Sequence, residues 1–218
     1  MYLLQSYLLY FNFQMPFLKE LKPTENIRIL IWKIDENLSD LKASTLLMKD
    51  QEKELNKRML ISHKKQYLAS RKLIDMVGTN HLDDLFYESM SLKKNICYSI
   101  SHTMEFAVVA VGFQNIGVDI ESYRPKILNI KPKFISKEEN YFMKSNDIKI
   151  ITRLWTCKEA IYKCIYKNKL SLKKNIVVEK FDIHSKRGLG KVYLKDKIIP
   201  INLHFSNFEN HQLTLSYL

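Results

Sequence analysis

A weak internal duplication constrains this chain more than any other feature. Ile96-Cys97-Tyr98-Ser99-Ile100-Ser101-His102, a turn and an apolar strand are echoed by Ile201-Asn202-Leu203-His204-Phe205-Ser206-Asn207, a turn and the terminal strand. Each copy follows a stretch of helical periodicity. In the first, running from about Ser39 to Val77, Met59, Leu60, Tyr67, Leu68, Leu73, Ile74 and Val77 recur at three- and four-residue steps. The second opens at Ser136-Lys137-Glu138-Glu139, which reads as a capping box, and continues through Leu154 to Tyr166. Ile27–Trp32, the two arms of 96–113, Gly117–Glu121, Val177–Ile183, Lys191–Leu194, Ile199–Phe205 and the closing Leu213–Tyr217 read as strands. The pattern predicts an α+β fold of two pseudo-symmetric α/β halves, with a ligand site in the cleft between them. An apolar extension is expected over 1–22, a first half over 23–115 and a second half over 116–218.

Composition narrows the partners. A hydrophobic share of 46% in 218 residues supports a sizeable core. The net charge of +12 favours an anionic partner but does not choose among nucleic acid, phosphorylated ligands, acidic proteins and anionic membranes. A nucleic-acid partner would need aromatic platforms beside basic residues or a recognisable module. Here the aromatic residues fall mostly at core periodicity, so no nucleic acid is expected. The opening MYLLQSYLLYFNFQMPFL has no basic region and no cleavage site, and Gln5, Ser6, Asn12 and Gln14 interrupt it. It is therefore a poor export signal and a poor membrane helix, and reads as an added strand or hairpin or as a loose extension. Cys97, Cys157 and Cys164 form neither a disulfide framework nor a zinc pattern, as expected of reduced thiols in the cytoplasm. A monomer is expected, because two halves in one chain already supply a cleft.

Three carboxylates and a lysine carry the chemistry. Asp119 and Glu121 lie two apart on a strand and so share a face, with Val118 and Ile120 on the other. Glu159 and Lys163 lie four apart on a helix. Taken alone, the first pair is a solvated strand face and the second a surface ion pair of about 0.3–0.5 kcal/mol. Together, they can form a hard-oxygen site for Mg²⁺ with an ammonium beside it to hold a phosphate oxygen. Such a site suits displacement at a diphosphate.

Gly117-Val118-Asp119-Ile120-Glu121, followed by Trp155-Thr156-Cys157-Lys158-Glu159-Ala160-Ile161-Tyr162-Lys163, resembles the paired signature of the phosphopantetheinyl transferases. Tyr98–Thr103 resembles that family's Ser-His segment, and Tyr67–Leu73 its arginine-bearing helix. The two-half layout resembles the single-chain type that activates peptide and polyketide synthases. The resemblance implies a holo-carrier-protein synthase. Such an enzyme moves the 4′-phosphopantetheine group of coenzyme A to a serine of an acidic apo acyl or peptidyl carrier protein and releases adenosine 3′,5′-bisphosphate. It further implies Mg²⁺ (or Mn²⁺) on Asp119, Glu121 and Glu159, with Glu159 and Lys163 catalytic. Arg58, Arg71, Ser101, His102, Asp119, Lys158 and Lys163 are then expected to contact coenzyme A. A non-catalytic carrier-binding relative is the rival within the same fold. Two departures stand out: 88–94 lacks the family's Gly-Lys-Pro loop, and 168–172 lacks a commonly glycine-containing turn.

Overall fold

The computed structural model describes residues 18–77, 96–165 and 170–218. It contains two antiparallel sheets and the helices packed on them. The first half runs β1 (Leu18–Thr24), β2 (Ile27–Lys33), α1 (Leu38–Ala43), α2 (Lys49–Asn56), α3 (Ile61–Val77), β3 (Cys97–His102) and β4 (Phe106–Gly112). The second runs β5 (Ile116–Ser122), α4 (Ile127–Phe134), α5 (Asn140–Met143), α6 (Ile148–Ile165), β6 (Ile176–Val178), β7 (Arg187–Tyr193), β8 (Ile198–Phe208) and β9 (His211–Tyr217).

The duplication holds to the residue. The first sheet has the order β1-β2-β4-β3 and the second β5-β9-β8-β7-β6. Both therefore contain a strand, then the second arm of a hairpin, then its first arm. Ser101 pairs with Val108 in one hairpin and Ser206 with Leu213 in the other. Likewise Leu30 pairs with Val109, and Asp119 with Thr214. A single offset relates the two hairpins, so β2 corresponds to β5, β3 to β8 and β4 to β9.

Period-2 alternation divides the apolar residues among three cores. Leu30, Trp32, Ala107, Val109 and Val111 face α3, where Leu68, Leu73 and Val77 meet them. Leu154, Cys157 and Ile161 of α6 pack on Val192, Ile201, Leu203 and Phe205. Ile27, Ile29 and Ile31 of β2 and Phe106, Val108 and Ala110 of β4 meet Val118, Ile120, Leu213 and Leu215 between the sheets. Fully burying one such side chain stabilises by about 1.5–3 kcal/mol, so this middle layer holds the halves together.

Four expectations need correction. The helical stretch over 39–77 is three helices; at the first break the Ser44 hydroxyl bonds back to the Asp40 carbonyl and ends α1. The strand expected over 177–183 stops at Val178. Beyond it, the carbonyls of Asp182, Ile183 and Ser185 accept from the Arg153 guanidinium and are lost to any ladder. Only half of the capping box at Ser136 forms. The Ser136 amide donates to Glu139, but the Ser136 hydroxyl is unpartnered and the helix begins at Asn140. Finally, β1 is an edge strand of the first sheet, so the boundary expected after residue 22 falls inside it. Residues 1–17 and the loop at 88–94 lie outside the described residues, as does part of the 168–172 turn.

Candidate active site

The site lies where β3, the edge of one sheet, meets β5, the edge of the other. One side of β5 pairs with β9. On its other side, the Val118 amide donates to the Ser99 hydroxyl at 2.9 Å and the Ile120 amide to the Ser101 hydroxyl at 3.3 Å. Two serine side chains therefore satisfy backbone donors that a neighbouring strand would otherwise take, as buried amides require. The Ser101 hydroxyl also donates to Asp119 Oδ1 at 2.8 Å.

Helix α6 lies directly on β5 because residue 117 has no side chain. A Cβ there would come 2.0 Å from the Ala160 carbonyl oxygen and 2.6 Å from the Cys164 nitrogen, both backbone atoms. Trp155, Glu159 and Lys163 recur every fourth residue and share one face of α6. Lys163 Nζ donates to Asp119 Oδ1 at 2.8 Å and to the Val118 carbonyl at 2.9 Å. At the other end of the stripe, Trp155 Nε1 donates to Glu121 Oε1 at 3.3 Å. Glu159 sits between these two anchors. Among the described residues it has no hydrogen-bond partner.

The three carboxylates sense one another. Burial raises the Asp119 pKa against the pull of Lys163 and Ser101. Burial and then the Asp119 charge raise Glu121. The same two causes in the same order raise Glu159, opposed by Lys163. Asp119 Oδ2 is buried without a partner. Yet no group of three or more His, Cys, Asp or Glu among the described residues is gathered as a ready metal cage. Mg²⁺ does not require one, since it commonly keeps several waters and takes one or two carboxylates plus substrate oxygens. An unpartnered buried oxygen amid three mutually repelling carboxylates fits such an ion.

A cleft of 310 Å³ lies on the first-half side, lined by Arg58, His63, Gln66, Tyr67, Arg71 and His102 among others. The Arg58 guanidinium lies 4.0 Å from the centre of the Tyr67 ring and that of Arg71 lies 5.0 Å away, so one ring positions both cations. Arg71 Nε is buried and unpartnered. Burial first, then the charges of Lys163, His63 and Arg58, push His102 below its ordinary value. His102 is thus within electrostatic reach of both the cleft and Lys163.

Lys158 does not join the other expected site residues. It is fully buried and pairs with Glu139 at 2.6 Å, while donating to the carbonyls of Leu172 and Ile176. Its place on α6 turns it away from the Glu159 stripe, so it is a structural lysine that pins the helix to the 136–139 and 172–176 segments. The expected Glu159–Lys163 pair is likewise replaced by Lys163–Asp119. Spacing alone did not assign roles to Ser99, Trp155 and Tyr67. The signal was there for two of them: Trp155 stands four residues before Glu159, and Tyr67 four before Arg71. The role of Ser99 depends on an edge-to-edge meeting of two sheets, which no local pattern encodes.

Comparison with known sequences bears on the stretch that holds the acid-lysine seam. Residues 115–216 match the profile of the 4′-phosphopantetheinyl transferase superfamily. A curated relative, 4′-phosphopantetheinyl transferase HetI of Nostoc sp. (strain PCC 7120), is 26% identical over 164 residues. That match covers 61% of this chain and 66% of the length of HetI. Over residues 115–216 the chain is thus similar to the 4′-phosphopantetheinyl transferase superfamily.

Proposed function

We propose that this protein transfers the 4′-phosphopantetheine group of coenzyme A to the serine hydroxyl of an apo acyl or peptidyl carrier protein, releasing adenosine 3′,5′-bisphosphate. The observation that carries the proposal is the adjacency of two sites across the β3–β5 seam: a cationic cleft on one side and three carboxylates with a lysine on the other. In this reading the cleft takes the phosphates of the adenosine end through Arg58, Arg71 and His102. Lys163, held by Asp119, presents its ammonium to the diphosphate as a point charge and favours departure of the leaving group. Glu159 is half-buried, and its repulsion by Asp119 and Glu121 raises its affinity for a proton. This suits it to receive the proton of the carrier serine as the new phosphoester bond forms.

Asp119, Glu121 and Glu159 are the residues that would hold Mg²⁺ or Mn²⁺. The bound ion supplies charge neutralisation at the diphosphate. The net charge of +12 would speed encounter with an acidic carrier.

Intact-mass spectrometry of an apo carrier protein incubated with this chain, coenzyme A and Mg²⁺ tests the proposal. The expected result is a mass gain of one phosphopantetheine group, absent with EDTA and absent with Glu159→Ala. No gain on any of several unrelated carriers, together with no detectable coenzyme A binding, would overturn it.

A further inference from the structure

A second cleft, of 500 Å³, lies between β1 and β8, at the edge of the first sheet furthest from β3. Its lining includes Lys19, Lys22, His184, Lys186 and His204 but no Asp or Glu. Buried Arg153 forms part of its floor. That guanidinium is committed to Gln212, Asn207 and the backbone carbonyls of the 182–185 turn, so it contributes charge while holding the turn in place. Burial first, then the positive charges of Arg187 and Lys186, push His204 below its ordinary value. Phe205 and Phe208 supply apolar walls, and the Lys19 ammonium stands 5.8 Å from the Phe208 ring centre.

The place of this cleft in the duplication is informative. β8 is the counterpart of β3, and His204, Ser206 and Asn207 stand where the first half has Ser99, Ser101 and His102. The active-site seam therefore has an equivalent at the other end of the sandwich, where β1 covers the edge of β2 and basic side chains line the space that remains. Lysine ammoniums bind phosphate as point charges, and several around one cavity suit a ligand with more than one negative charge. A volume of 500 Å³ is in the range of small-molecule sites.

We propose that the β1–β8 cleft is a second anion site, separate from the candidate active site, that binds a phosphorylated small molecule through Lys19, Lys186 and the two histidines. The inference does not depend on the proposed transfer activity.

Each cleft holds two histidines, His184 and His204 here and His63 and His102 in the other, so ring resonances report the two sites separately. The experiment is NMR of the histidine rings of the full chain during titration with inorganic pyrophosphate at fixed pH and ionic strength. The His184 and His204 resonances should move together along one saturable curve that Arg58→Glu with Arg71→Glu leaves unchanged. Lys19→Glu with Lys186→Glu should weaken that curve by about tenfold or more, as two lost charge contacts imply. Lys186 is exposed, and Lys186→Gln alone should weaken it in the same direction, which guards against misfolding of the double variant. Resonances of His184 and His204 that stay still, drift linearly without saturating, or follow an unchanged curve in the lysine variants would overturn the proposal.

Discussion

Leu30 and Asp119 occupy the same place in the two halves. Each lies on the strand that opens its sheet core, each faces the long helix of its half, and each pairs with the equivalent residue of the neighbouring strand. Trp32 and Glu121 correspond in the same way. Around Leu30 the space is filled by apolar side chains of α3, and no polar atom is called for. Around Asp119 the same space holds Lys163, Ser101 and an unfilled neighbour for Oδ2. One scaffold thus serves as apolar core in one half and carries the charged cluster of the candidate site in the other. The difference lies in a few side chains rather than in backbone geometry.

The strongest test of this contrast removes the chemistry from the second half. Glu159→Gln keeps size and shape, and under the proposed function it should lower the rate of carrier modification by about 10²- to 10⁴-fold with little change in melting temperature. A loss of under tenfold would mean that another group takes the proton. The converse change puts the acid into the first half. Leu30→Asp should cost about 3–5 kcal/mol of stability in urea unfolding, since it removes a fully packed side chain and buries a carboxylate with no partner. A cost below about 1 kcal/mol would break the claimed equivalence of the two positions.

Smaller changes sharpen the contrast at the seam. Gly117→Ala should destabilise by about 1–3 kcal/mol and, under the proposed function, slow carrier modification as well, because the added Cβ collides with the backbone of α6 and moves Glu159 and Lys163. Ser101→Ala should cost about 1–3 kcal/mol by leaving the Ile120 amide and Asp119 short of a partner. The weakest effect is expected at His211, buried against Phe106 and Phe208 where the hairpin tips of the halves meet. Burial lowers its pKa from the ordinary 6.5, so the unfolded chain takes the proton first. Stability should therefore fall as pH drops below about 6.5 toward the folded value, and His211→Gln should flatten that part of the profile.

Much of this was legible in the sequence, and the limits have physical causes. The period-2 alternation of 117–121 gave the shared face of Asp119 and Glu121, and the helical spacing of 155–163 gave the stripe that opposes them. The echo of 96–102 in 201–207 gave the duplicated hairpins in their observed register. The partners of Lys158 and Lys163 were not legible, because a lysine four residues from a glutamate can equally reach across to another element. Glu139 lies nineteen residues before Lys158, and Asp119 forty-four before Lys163. The short β6 escaped for a related reason. The run over 177–183 is rich in strand-forming residues, but a guanidinium from α6 claims the carbonyls that follow it.

The hydroxyl contacts between Ser99, Ser101 and β5 also make the junction of the halves observable by hydrogen exchange. An amide bonded within a sheet is released when that sheet opens. The amides of Val118 and Ile120 are instead held by side chains from the other half. Their deuterium uptake would therefore time the parting of the two halves, while the ladder amides of β2 and β9 still protect each sheet.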